Sequence, residues 1–198
     1  MSTVSSGQVR ELRDVSGAPM MDCKKALDEC AGDMDKAMDW LRKKGVASAA
    51  KKAGRTAADG AVFSYIHHNG KVGVLLEVNC ETDFVARSEP YQLFCRDVCL
   101  HIASMNPQWV RREDVPAEIV EHEREIAQAQ VDSKKPPEIQ EKMIEGRVTK
   151  FFADTCLMEQ AFVKDDKQTI EQLRTALVGK LGENIVVRRF ARFEVGAE

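Results

Sequence analysis

Ala61-Val62-Phe63-Ser64-Tyr65-Ile66-His67-His68-Asn69-Gly70-Lys71-Val72-Gly73-Val74-Leu75-Leu76-Glu77-Val78-Asn79-Cys80 decides the fold class. Before Asn69-Gly70, Val62, Ser64 and Ile66 alternate with Phe63, Tyr65 and His67. After it, Val72, Val74, Leu76 and Val78 alternate with Gly73, Leu75, Glu77 and Asn79. A side-chain period of two on both sides of Asn-Gly spells a β-hairpin with a tight turn. Late in the return strand both faces are fairly apolar, which predicts a central place in its sheet.

Outward from this hairpin, the period changes to that of helices. On the C-terminal side, Tyr91 to Met105 reads as a buried helix carrying Leu93, Phe94, Val98 and Ile102. Asn106-Pro107 ends it, because the residue before a proline is pushed out of the helical region. Pro116 opens a second helix, Ala117 to about Val131. Ser133 to Pro137 is read as a turn, and Pro137 leads a third helix with Ile139, Met143, Ile144, Val148, Phe151 and Phe152. Those two helices are expected to form an antiparallel hairpin. A last helix, Thr169 to Leu181, stops at Gly182, and Ile185 to Val195 alternates again as the third strand. The architecture expected is α+β, a small antiparallel sheet with helices packed on one side.

On the N-terminal side stand three short helices, expected at eight to twelve residues each. Ser5 and Gln8 have capping-box spacing ahead of Val9, Leu12 and Val15, and Gly17 fits a left-handed C-cap. Pro19 starts a second helix with Met20, Cys23, Ala26, Leu27 and Cys30. Gly32 stops it, and Asp33 caps a third with Met34, Ala37, Met38 and Leu41. Residues 1–54 are expected to form this helical module and 55–198 the core. A lysine- and alanine-rich stretch, Lys43 to Arg55, joins the two.

Composition removes several function classes. Of 198 residues, 43% are hydrophobic and 31% charged, with 29 basic and 32 acidic side chains for a net charge of −3. A chain this long buries roughly 70% of its unfolded surface and needs no disulfides. Up to Thr56 there are 11 basic and 8 acidic side chains, net +3, which leaves −6 for the rest. That asymmetry is too modest for a dedicated nucleic-acid binder, and the linker lysines read as a solvated helix face. No run of about 18 apolar residues is present to span a membrane. Met1 to Gly7 carry neither a basic nor an apolar leader, so a cytoplasmic protein is expected.

Catalytic motifs are missing. Gly-x-x-x-x-Gly-Lys-Ser/Thr, Gly-x-Gly-x-x-Gly and Gly-x-Ser-x-Gly do not occur. The six cysteines form no Cys-x-x-Cys. Cys95 and Cys99 share a helix face, but His101 falls nearly opposite, a poor start for zinc. Neither a catalytic residue nor a metal ligand is expected, and the cysteines read as small apolar core residues.

One loop breaks the pattern of charged surface over apolar core: Asn79-Cys80-Glu81-Thr82-Asp83-Phe84-Val85-Ala86-Arg87-Ser88. It follows a central strand and precedes a helix, a rigid base on which function commonly sits. On one reading, Thr82 or Asp83 caps a helix and Phe84 anchors under the loop. On the other, Phe84 and Asp83 form a protruding wedge that enters a partner's pocket.

Val9-Arg10-Glu11-Leu12-Arg13 followed by Gly17-Ala18-Pro19-Met20-Met21-Asp22-Cys23-Lys24-Lys25-Ala26-Leu27 resembles the N-terminal signature of the bacterial elongation factor Ts family. Leu75 to Arg87 is similar to its second signature, and Gly182-Glu183-Asn184-Ile185-Val186-Val187-Arg188-Arg189-Phe190 to the tail of its short form. Ser16 stands where the family often has Thr, and Pro19 where Gly or Lys is commoner; both fit helix-cap geometry. The resemblance implies a guanine-nucleotide exchange factor for elongation factor Tu, with an N-terminal module similar to ubiquitin-associated domains. It implies that Thr82, Asp83, Phe84 and Val85 act near the Mg²⁺ of Tu, and that Leu12, Met20 and Met21 contact Tu through the N-terminal module. It implies no covalent chemistry, no cofactor and no direct nucleic-acid or membrane contact. Longer relatives have a doubled core, so a homodimer is expected. Two other classes stay open: a plain interaction module, and a thiol or metal enzyme using Cys95, Cys99 and a histidine.

Overall fold

The structure, a computed structural model, describes residues 4–131 and 135–197. The N-terminal helices are α1 (Ser6–Ser16), α2 (Met20–Glu29) and α3 (Met34–Lys52). Ser5 and Gln8 form the reciprocal capping box, Gly17 closes α1 at φ 65°, and Asp33 Oδ1 accepts from Lys36 N–H to start α3. Val9, Leu12, Cys23, Ala26, Leu27 and Ala37 form the shared core of these helices.

The third helix departs from expectation. It runs 19 residues, through the lysine-rich stretch to Lys52, rather than eight to twelve. A lone Gly45 is a weak helix breaker, worth roughly 1 kcal/mol against Ala. Here the absent side chain has a use: a Cβ added at Gly179 would lie 3.6 Å from Gly45 Cα, so the two backbones approach closely.

The strands are β1 (Asp59–Ile66), β2 (Val72–Cys80) and β5 (Val186–Glu194), in the order β1-β2-β5, so β2 is central as its two-sided apolarity predicts. The hairpin forms, with a wider turn than Asn-Gly alone suggests. His67 N–H donates to Val72 O, Gly70 N–H donates to His67 O, and His68 to Lys71 fill the loop. Val195 N–H donates to Lys71 O, and Arg189 pairs with Glu77 at 2.6 Å, which fixes an antiparallel register for β5 on β2. Val74, Leu76, Val78 and Cys80 are buried on one face of β2, while Leu75 on the other face is exposed.

Further helices are α4 (Asp83–Ala86), α5 (Glu89–Met105), α6 (Ala117–Ala129), α7 (Pro137–Thr155) and α8 (Ile170–Leu181). A short 3₁₀ turn spans Arg112–Asp114. The α6–α7 pair is the expected helical hairpin, tied by Arg124 to Glu141 and Glu145 and by Arg147 to Gln130. The turn expected at 133–137 lies partly outside the described residues. A small hairpin, β3 (Ala161–Phe162) with β4 (Asp165–Thr169), has no counterpart in the sequence reading. The whole is an α+β fold.

By internal contacts the chain divides into two compact units. One comprises the chain up to Ala61 together with Val78–Phe94 and Gln172–Val186; it holds the N-terminal helices, α4 and α8. The other comprises Val62–Glu77, Cys95–Glu171 and the chain from Val187 onward. Its satellite core is Val115, Val148, Phe152 and Cys156, with Trp109, Ile119, Val120 and Phe151 packed around them.

Candidate functional site

The loop after β2 is built on buried groups. Cys80 is fully buried and its Sγ–H donates to Thr82 O at 3.1 Å. Burial, with the nearby Glu183 and Asp59 charges, pushes its thiol up to about 11. Behind the loop, Tyr91 Oη donates to Val78 O at 2.6 Å from a fully buried position. Val85 and Ala86 turn inward and are buried.

Phe84 goes the other way. Its side chain is 82% exposed, so it is no anchor under the loop. A single helical turn, α4, sets this division: Val85 and Ala86 fall on the inner side and Phe84 on the outer. Thr82 occupies the N-cap position of α4 with an extended backbone (φ −136°), yet its side chain does not cap the helix. Its hydroxyl donates instead to Glu183 Oε1 at 2.6 Å. Asp83 lies beside Phe84 and pairs with Arg87 at 3.1 Å, a half-exposed pair worth at most about 1 kcal/mol. The four residues expected in the wedge therefore divide: Phe84 is exposed, Thr82 and Asp83 are partly exposed, and Val85 is buried.

Loop and C-terminal turn are cross-tied. Glu183 Oε2 accepts the backbone N–H of Glu81 (3.1 Å) and of Thr82 (3.0 Å). Reciprocally, Glu81 Oε1 accepts the Asn184 N–H at 2.6 Å. Arg55 pairs with Glu81 at 3.6 Å, and the buried Asn184 donates through Nδ2 to Arg55 O at 2.9 Å and to Ala53 O at 3.4 Å. The sequence reading missed Glu183 and Asn184 as parts of the loop; a partner a hundred positions away leaves no local signal.

In the N-terminal module, Met21 is 72% and Met20 38% exposed, with Val15 also exposed. Leu12 is different. It is fully buried in the three-helix core, so it cannot present its side chain to a partner, and the expectation of a Leu12 contact is corrected. Its place on the same helical face as Val9 is the reason.

All six cysteines are free, and all but Cys30 are buried. Burial pushes the Cys99 thiol up to about 12, away from a reactive thiolate. His101 is engaged by Gln160 and Val163 rather than by a cysteine. Among the described residues, no three His, Cys, Asp or Glu side chains group as a metal site, and no helix is long and apolar enough to cross a membrane.

A family model described as Elongation factor TS matches residues 47–197. The chain belongs to the elongation factor Ts family. It is 56% identical over 195 residues to elongation factor Ts of Geobacter sulfurreducens, covering 98% of this chain and 90% of that one. The corresponding protein of Anaeromyxobacter sp. strain K is 57% identical over 197 residues, 99% and 90% covered. That of Carboxydothermus hydrogenoformans is 54% identical over 194 residues, 98% and 89% covered. Family membership gives the chain a role as a translation elongation factor in protein biosynthesis, with a protein partner in the translation machinery.

Proposed function

We propose that this chain is the guanine-nucleotide exchange factor for elongation factor Tu in the cytoplasm. One observation carries the reading: an exposed phenyl ring, Phe84, stands beside a carboxylate on a loop tied into buried structure. An aromatic ring beside a carboxylate, presented on a loop anchored from behind, is the form of anchor that fills a partner's pocket. Phe84 and Asp83 enter Tu near its nucleotide-bound Mg²⁺, with Thr82 and Val85 supporting them from behind. Mg²⁺ bridges nucleotide phosphates to a GTPase, so disturbing its surroundings weakens GDP binding. By linkage, nucleotide weakens the factor's hold by the same factor, and GTP releases it. Such exchange needs no covalent step and no cofactor.

Met20 and Met21 supply a second contact from the module at 1–54, and residues 55–198 form the core. The protein works as a homodimer. The exposed face of its sheet, with Val62, Ile66, Leu75 and Phe193, is the pairing surface, since water-facing apolar residues on three adjacent strands need a cover.

Stopped-flow release of fluorescent GDP from Tu tests the wedge. Wild type is expected to accelerate release strongly, Phe84→Ala at least about tenfold less, and Asp83→Ala to fall between them. Equal acceleration by wild type and Phe84→Ala would refute it. Binding to Tu without faster release by wild type would leave a plain interaction module.

A further inference from the structure

Resting on that reading of the loop, we infer that Glu183 is the positioning residue of the exchange reaction, fixing Thr82 so that Phe84 is presented outward. Its carboxylate takes three hydrogen bonds from two consecutive loop residues: the N–H groups of Glu81 and Thr82, and the Thr82 hydroxyl. Hydrogen bonds to an ionised acceptor are stronger than neutral ones, and two successive N–H groups on one oxygen fix the backbone just before α4.

Thr82 is where the direction of Phe84 is decided. A threonine at an N-cap ordinarily turns its hydroxyl onto the helix that follows. Thr82 does not; its hydroxyl is drawn to Glu183, and the helix it precedes is one turn long. With so short a helix, cooperativity within α4 cannot hold the loop's direction. The carboxylate supplies what the helix lacks.

The support reaches further back. Glu183 precedes Asn184, which is buried, bonded to the carbonyls of Ala53 and Arg55, and held at its own N–H by Glu81. The acceptor is thereby fixed before any partner arrives. A loop ordered in advance loses less freedom on binding, which raises the share of binding energy left to act on the partner.

The test uses the full chain and Tu loaded with fluorescent GDP, reading the maximal release rate and the half-saturating concentration separately. Glu183→Ala is expected to lower the maximal rate by about tenfold or more, with a smaller change in half-saturation. Glu183→Gln is expected to recover most of the rate, because its amide oxygen can accept the two N–H groups and its NH₂ can donate to Thr82 Oγ1. Added to Phe84→Ala, Glu183→Ala is expected to cost little more, since both act through one ring.

A Glu183 with a merely structural role would lower the melting temperature and leave the folded protein's maximal rate intact. The inference is overturned if Glu183→Ala matches wild type while Phe84→Ala is slow, if the two losses multiply, or if Gln fails to rescue. Where Glu183→Ala does not fold, Thr82→Val removes only the hydroxyl; a partial loss of maximal rate supports the inference and a wild-type rate overturns it. Failure of wild type to accelerate release, or full activity of Phe84→Ala, removes the reading of the loop and this inference with it.

Discussion

His101 Nδ1 accepts the backbone N–H of Val163 at 3.2 Å. A backbone N–H can only donate, so the ring carries its proton on Nε2 and gives it to Gln160 Oε1 at 2.9 Å. The imidazole is fully buried and neutral, and burial holds its pKa below the ordinary 6.5 despite the Gln160 bond. The unfolded chain therefore binds the proton first as pH falls. Stability from this site is complete above pH 6.5 and is lost as pH drops below it toward the folded pKa. Urea unfolding at pH 8 and pH 5 checks this: wild type is expected to lose more stability between those values than His101→Phe. Parallel losses would count against it.

Tyr91→Phe removes the buried hydrogen bond from Oη to Val78 O. The expected cost is about 1 kcal/mol. For a protein of this size that is roughly 2–4 °C in Tm, read by calorimetry. An unchanged Tm would mean that the Val78 carbonyl is equally well served without the phenol.

Cys80 is expected to resist thiol reagents in the folded protein. With its thiol pushed up to about 11, roughly 0.1% is thiolate at pH 8, against about a quarter for an ordinary cysteine. Cys30, the partly exposed cysteine, is expected to label first. Mass spectrometry of a timed iodoacetamide reaction assigns the order, and early labelling of Cys80 would contradict the geometry.

Phe193 is 67% exposed on the open sheet face. Placing a charge there by Phe193→Glu is expected to convert dimer to monomer while leaving the protomer folded. Light scattering over a concentration series reads the mass. A dimer mass retained by the variant would put the pairing surface elsewhere.

Local rules reached much of this fold. Ser5, Gln8, Gly17 and Asp33 act within one helical turn of themselves, so their roles stand in the sequence. The buried face of β2 also shows, because the alternation of Val74, Leu76, Val78 and Cys80 lies within the strand itself. What escaped depends on distant partners. Asp165 to Thr169 has neither alternation nor apolarity, and the small hairpin it joins is held where Val163 N–H reaches His101, Gln160 N–H donates to Cys156 O and Gln160 O accepts from Ile170 N–H. The length of α3 escaped because Gly45 reads as a weak break until its close approach to Gly179 is seen. Leu12 shows the opposite failure: its apolar face already spoke for burial, and only family likeness placed it at a surface. The loop itself could be found, but the outward turn of Phe84 depends on Glu183.

The tie between Thr82 and Glu183 spans 101 positions of chain. During synthesis the loop leaves the ribosome long before its acceptor exists, and β5, which begins at Val186, comes later still. Contacts so distant in sequence form late. A nascent chain stopped short of Glu183 carries Phe84 without the acceptor that holds Thr82, so the loop is braced only once Glu183 has emerged.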